Sequence, residues 1–145
     1  MNVEPIEILL VEDSPDEVEL TLRALRAHNL ANRVKVVGDG VQALDYLWPE
    51  GSASAPVDGY PKLVLLDLKL PRIGGLEVLR RLKASEATKT IPVVVLTSSQ
   101  EESDLLESYR LGVNSYIVKP VDFAQFMATV SELGLYWLLL NKVPE

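Results

Sequence analysis

The chain has 145 residues, 48% of them hydrophobic, which suits one domain with a sizeable core and argues against disorder. It has no cysteine and one histidine, His28, so disulfides, thiolate chemistry, cysteine-bound zinc and multi-histidine metal sites are excluded. With 14 basic and 21 acidic residues the net charge is −7, which speaks against nonspecific binding to nucleic acid or to an anionic membrane.

Glu4 and Glu7 interrupt the N-terminus, with no apolar signal region behind them. The run Leu135 to Leu140 is far too short to span a bilayer, so a soluble cytoplasmic protein is expected. Ile6 to Val11 reads as a buried strand, apolar almost throughout. Ser14-Pro15-Asp16-Glu17 then opens a helix: Ser14 can cap it, Pro15 suits the first helical position and Glu17 completes a capping box. Val18, Leu22 and Leu25 form its core face. Val34 to Val37 is a short strand, and Lys35 within it suggests a sheet edge. A helix is predicted over Gly40 to Trp48, with Val41, Leu44, Leu47 and Trp48 apolar.

Pro49 to Pro61, rich in Gly, Ser, Ala and Pro, is a loop inserted before the third strand, Leu63 to Leu66. A helix follows from about Gly75, with Leu76, Leu79 and Leu82 at helical spacing. The fourth strand is Pro92 to Leu96. Ser98-Ser99-Gln100-Glu101-Glu102 offers overlapping capping boxes to the next helix, which Gly112 can stop. The fifth strand is Asn114 to Val118, and a last helix starts near Asp122. Its inward face is expected to comprise Phe123, Phe126, Met127, Val130 and Trp137. Alternating apolar and amphipathic blocks with right-handed crossovers predict an α/β, doubly wound parallel sheet with helices on both faces.

Such sheets bind ligands beyond the carboxyl ends of their strands. Polar groups collect there: Glu12 and Asp13 after the first strand, Asp67 after the third, Thr97 after the fourth and Lys119 after the fifth. Each has an ordinary reading when taken singly. Acids favour helix starts, a threonine can cap, and a lysine is usually a surface charge. The ordered set is more telling. Three carboxylates at one point repel unless a cation lies among them, and hard oxygen donors suit Mg²⁺ or Mn²⁺. Asp67 could take a phosphoryl group as an acyl phosphate, with Lys119 as counter-charge.

The runs Leu9-Leu10-Val11-Glu12-Asp13, Leu65-Leu66-Asp67-Leu68-Lys69-Leu70-Pro71 with Gly75 after it, Thr97-Ser98, and Tyr116-Ile117-Val118-Lys119-Pro120 resemble the receiver domain of two-component response regulators, over roughly residues 6 to 133. The resemblance implies a flavodoxin-like sheet of order 2-1-3-4-5 with five helices, in a single receiver domain. It implies a switch rather than a turnover enzyme, in which Asp67 accepts phosphate from a histidine kinase. Mg²⁺ would be held by Glu12, Asp13, Asp67 and the backbone carbonyl of Lys69. Lys119 would meet the phosphoryl oxygens across a cis peptide to Pro120. Thr97 and Tyr116 would act as switch residues, and Lys69 and Ser99 would tune dephosphorylation. Gly74-Gly75 departs from the usual Asp or Asn before the glycine and is expected to add backbone freedom.

A DNA-binding output domain would follow the last helix in a transcription factor of this family. The chain reaches Glu145 without one, so output through protein contacts is expected. Leu135, Tyr136, Trp137, Leu138, Leu139 and Leu140 would be apolar on every side of a helix; the ordinary reading is a tail folded back on its own domain, and the favoured one is a two-fold homodimer seam. The Pro49 to Pro61 loop and this tail also resemble single-domain regulators that partner bacterial phytochrome kinases.

Two other classes fit less well. An aspartyl-phosphate phosphatase of the haloacid dehalogenase type would want an acid two residues after the nucleophile, where Lys69 stands. An FMN carrier would want a glycine- or hydroxyl-rich phosphate loop after the first strand, where Glu12-Asp13 stand.

Overall fold

The computed structural model describes residues 7–26, 33–49, 56, 59–98 and 102–135. Five strands alternate with five helices among them: β1 Ile8–Val11, α1 Pro15–Arg26, β2 Val34–Val37, α2 Gly40–Leu47, β3 Leu63–Asp67, α3 Gly75–Ala84, β4 Val93–Thr97, α4 Glu102–Arg110, β5 Ser115–Val118 and α5 Phe123–Glu132. All strand pairs are parallel, and the order is β2-β1-β3-β4-β5, as expected. The Lys35-bearing strand lies at an edge.

The three central strands are buried along their whole length. That is why their sequences are apolar without alternation. Successive side chains still point to opposite faces, so each strand feeds two cores. Leu9, Val11, Val64, Leu66, Val93 and Val95 pack with α2 and α3. Ile8, Leu10, Leu63, Leu65, Val94, Leu96 and Ile117 pack with α1 and α5 around Phe126.

Several helix ends follow the sequence. Asp39 caps α2 through Gln42 N–H (2.8 Å), and Asp122 caps α5 through Gln125 N–H (2.8 Å). Gly112, at φ +99°, stops α4: its N–H donates to Tyr109 O and the Val113 N–H to Ser108 O.

The C-terminal end differs from expectation. Gly134 adopts φ +76°, its N–H donates to Ser131 O, and the Leu135 N–H reaches back to Val130 O (2.8 Å). This pair of bonds is a Schellman stop. The last helix therefore ends at Glu132, before the apolar tail begins. Leu135 is half-buried against the α1/α5 core, while residues 136–140 of the expected seam, and Trp137 with them, lie outside the described residues. Met127, placed inward by spacing alone, is exposed, and Thr129 is buried on that face instead.

Candidate functional site

Strand register assembles the site. Val11 is level with Leu66, so the next residues, Glu12 and Asp67, leave neighbouring strands side by side. Glu12, Asp67 and Lys119 each stand two residues beyond a member of the α1/α5 core: Leu10, Leu65 and Ile117. With a period of two they emerge on the same face of the sheet edge.

The Lys119 ammonium lies 2.7 Å from Glu12 Oε1 and 3.3 Å from Asp67 Oδ2. The approach to Oε1 has the distance of a hydrogen bond without its angles, so it is a charge contact. Glu12 Oε2 accepts from the Ser14 N–H at 3.2 Å. That replaces half of the expected capping box: Ser14 Oγ accepts from Glu17 N–H, but the reciprocal acceptor for Ser14 N–H is Glu12 rather than Glu17. Asp67 Oδ1 accepts from the Lys69 N–H at 3.1 Å.

Burial pushes the Glu12 carboxyl up from 4.5 to about 7, and the Asp67 charge adds to the rise against the pull of Lys119. Burial alone would lower the Lys119 ammonium. Its contacts with Glu12 and Asp67 outweigh this and hold it above the ordinary lysine range. Ligand oxygens of Glu12, Asp13 and Asp67 lie within 4.8 Å of one another, with Glu12 and Asp67 buried and Asp13 exposed to solvent. Two of the three, Glu12 and Asp67, contact the Lys119 ammonium. The donor set and the raised Glu12 carboxyl both fit a hard divalent cation that keeps some of its water.

Thr97 enters from the other parity, two residues beyond Val95, and is buried. A shallow cleft beside Asp67 is lined by Leu68, Lys69, Leu96, Thr97 and Ser98. The Thr97 carbonyl accepts from Lys119 N–H at 2.7 Å, which ties β4 to the lysine-bearing turn. The Lys119-Pro120 peptide is cis, as expected. Tyr116 turns outward: the residue is 41% exposed and its ring meets Tyr109 edge-on, centroids 6.4 Å apart. Ser99 lies outside the described residues.

A family model described as "Response regulator receiver domain" matches residues 8–131. The chain belongs to the response regulator receiver family. It is thus a receiver-domain response regulator of two-component signalling. Among similar proteins, the probable methanogenesis regulatory protein FilR2 of Methanothrix harundinacea is 43% identical, over 97% of this chain and 89% of that protein. The structure of the bacteriophytochrome response regulator AtBRR matches with a TM-score of 0.80 at 53% identity, over 97% of this chain and all of that one. The Mn(2+)-bound form of response regulator Rcp1, a protein of Synechocystis sp., matches with a TM-score of 0.72 at 35% identity, over 97% and 100%.

The sequence reading missed what holds the receiver's β3–α3 loop. Gly75 is needed for close approach, since a Cβ there would sit 2.4 Å from Asp67 O. Gly74 takes an ordinary backbone conformation: at φ −73° it caps α3 in an extended conformation, without a side-chain bond. The unusual residue is Arg72, with φ +66°. Its guanidinium holds Asp39 Oδ2 through Nε (3.1 Å) and Nη2 (2.6 Å). The two lie 33 positions apart, and neither apolar spacing nor a local motif links them.

Proposed function

We propose that this receiver takes a phosphoryl group onto Asp67 from the phosphohistidine of a histidine kinase, in the cytoplasm, with Mg²⁺ or Mn²⁺ required. The observation that carries this reading is one half-buried ammonium set between two buried carboxylates, Glu12 and Asp67. In the transfer, an Asp67 oxygen bonds to phosphorus, the P–N bond breaks, and its electron pair leaves with the imidazole. Lys119 supplies positive charge to the phosphoryl oxygens, and the Thr97 hydroxyl donates a hydrogen bond to one of them. Lys69 N–H orients the attacking carboxylate. Glu12, Asp13, Asp67 and the Lys69 carbonyl would hold the cation, which when bound neutralises phosphoryl charge. The Mn(2+)-bound form of Rcp1 supports the choice of metal.

Tyr116, exposed beside Tyr109, is the aromatic that would turn inward once Thr97 engages phosphate. Lys69 and Ser99 hold the two positions that would tune the lifetime of the acyl phosphate. Output would run through protein contacts. The likeness to AtBRR supports a phytochrome-type kinase as the donor. Leu135 is engaged by its own core, so the candidate homodimer seam narrows to Tyr136, Trp137, Leu138, Leu139 and Leu140.

Intact-mass measurement with acetyl phosphate and Mg²⁺ tests the reading. Wild type should gain one phosphoryl group and Asp67→Asn none, and equal labelling of the two overturns it. Sedimentation of the same samples tests the assembly: a monomer with and without phosphate overturns the seam.

A further inference from the structure

The β3–α3 loop is tied at base and tip. At its base, Lys69 N–H donates to Asp67 Oδ1, and Gly75 N–H closes on Leu68 O at 3.0 Å. At its tip, Arg72 forms the two-nitrogen contact with Asp39. Asp39 is held in turn, because its Oδ1 caps α2 at Gln42 and its side chain is only 11% exposed. The loop lies hard on that helix start: a Cβ at Gly40 would sit 2.0 Å from Ile73 O. Arg72 is also in a left-handed conformation that a non-glycine residue rarely adopts. A residue held there needs its surroundings to impose the geometry. The guanidinium pair is such a constraint, and Lys69, at the site, stands three residues before it.

We propose that Arg72, latched to Asp39, is a positioning residue that keeps the Lys69 main chain against Asp67 and thereby sets the cation affinity of the acidic cluster. The inference rests on the proposed function. A donor held in place strengthens metal binding because its ordering has already been met in the folded chain. Releasing the tip lets the loop sample geometries in which Lys69 N–H leaves the Asp67 carboxylate and the Lys69 carbonyl leaves the cluster.

Two variants separate positioning from stability. Asp39→Asn keeps a good helix cap for Gln42 but removes the charge that holds the guanidinium. Arg72→Gly removes the guanidinium and also relieves the left-handed backbone, so global stability should hold or rise. Calorimetric titration with Mg²⁺ should show about tenfold weaker binding in both, the low end for lost outer partners of a metal site. Amide exchange at Lys69 in metal-free protein should quicken in both, while thermal unfolding of Arg72→Gly stays at or above wild type. Unchanged Mg²⁺ affinity, or unchanged Lys69 exchange, overturns the latch alone. A wild-type protein that takes up no Mg²⁺ overturns the proposed function and the latch with it.

Discussion

Two half-buried lysines sit at opposite ends of the sheet and do different things. Lys119, at the carboxyl end, faces two buried carboxylates and is held above the ordinary lysine range. Lys83, at the end of α3, faces neutral acceptors: Lys89 O and Ile91 O at 3.3 Å and Asn114 Oδ1 at 3.5 Å. Burial holds it below the ordinary range. Asn114 Oδ1 also accepts from Val93 N–H, so Lys83 braces the start of β4 against the turn before β5. One lysine completes a fold, because every group it touches is neutral and bonded. The other stands between two buried carboxylates with the exposed Asp13 beside them, an acidic set that a divalent cation can join. An unbalanced buried charge separates a site from a brace more sharply than burial or hydrogen-bond number does.

The largest expected effect lies in breaking the charged side of this comparison. Lys119→Met keeps the aliphatic stem and removes the ammonium. Labelling by acetyl phosphate should slow by about 10²–10³, the scale for deleting one charge partner of a transition state. Mg²⁺ binding should survive, because the carboxylates remain. A loss of less than about threefold in the labelling rate would show that Lys119 is a brace like Lys83.

Titration sharpens the comparison next. With the Glu12 carboxyl near 7, a cation must displace a proton from it at pH 6 but rarely at pH 8. Mg²⁺ affinity should fall about tenfold from pH 8 to pH 6, with protons released on binding. The metal-free fold should respond in the opposite sense. A carboxyl whose folded value is raised binds its proton more tightly folded than unfolded. Its contribution is therefore fully present below 4.5 and is lost as pH rises towards 7. Calorimetry in buffers of different ionisation enthalpy measures both the affinity and the proton count. Affinity that does not change between pH 6 and 8 would remove burial as the cause.

The charged end was readable in the chain and much around it was not, for physical reasons. Glu12, Asp67 and Lys119 follow apolar runs, and parallel strands bring their ends to one edge. Spacing of two beyond Leu10, Leu65 and Ile117 then sets a common face. The Arg72–Asp39 pair has no such signature, because it joins two loops whose meeting depends on how β3 and α2 pack. Gly134 carried a readable stop signal that the apolar content of the tail obscured. Met127 shows the limit of spacing at a helix that is covered on one side only. Ser14 was assigned its local partner, Glu17, whereas burial at the sheet edge turned Glu12 towards its N–H.

The smallest expected effect comes from the neutral brace. Lys83→Met keeps the stem, which lies 3.8 Å from where a Cβ on Gly112 would stand, and removes three long hydrogen bonds. The carbonyls of Lys89 and Ile91 lose a donor, and Asn114 keeps only its bond from Val93. A net hydrogen bond contributes about 1 kcal/mol, and these three are long and share one ammonium, so stability should fall by about 1–3 kcal/mol in urea unfolding, with an unchanged slope. Labelling of Asp67 and Mg²⁺ affinity should match wild type, since the brace lies at the other end of the strands. A Lys83 variant that loses labelling while remaining folded would show that the two ends of the sheet are coupled. In that event the division between brace and site would have to be abandoned.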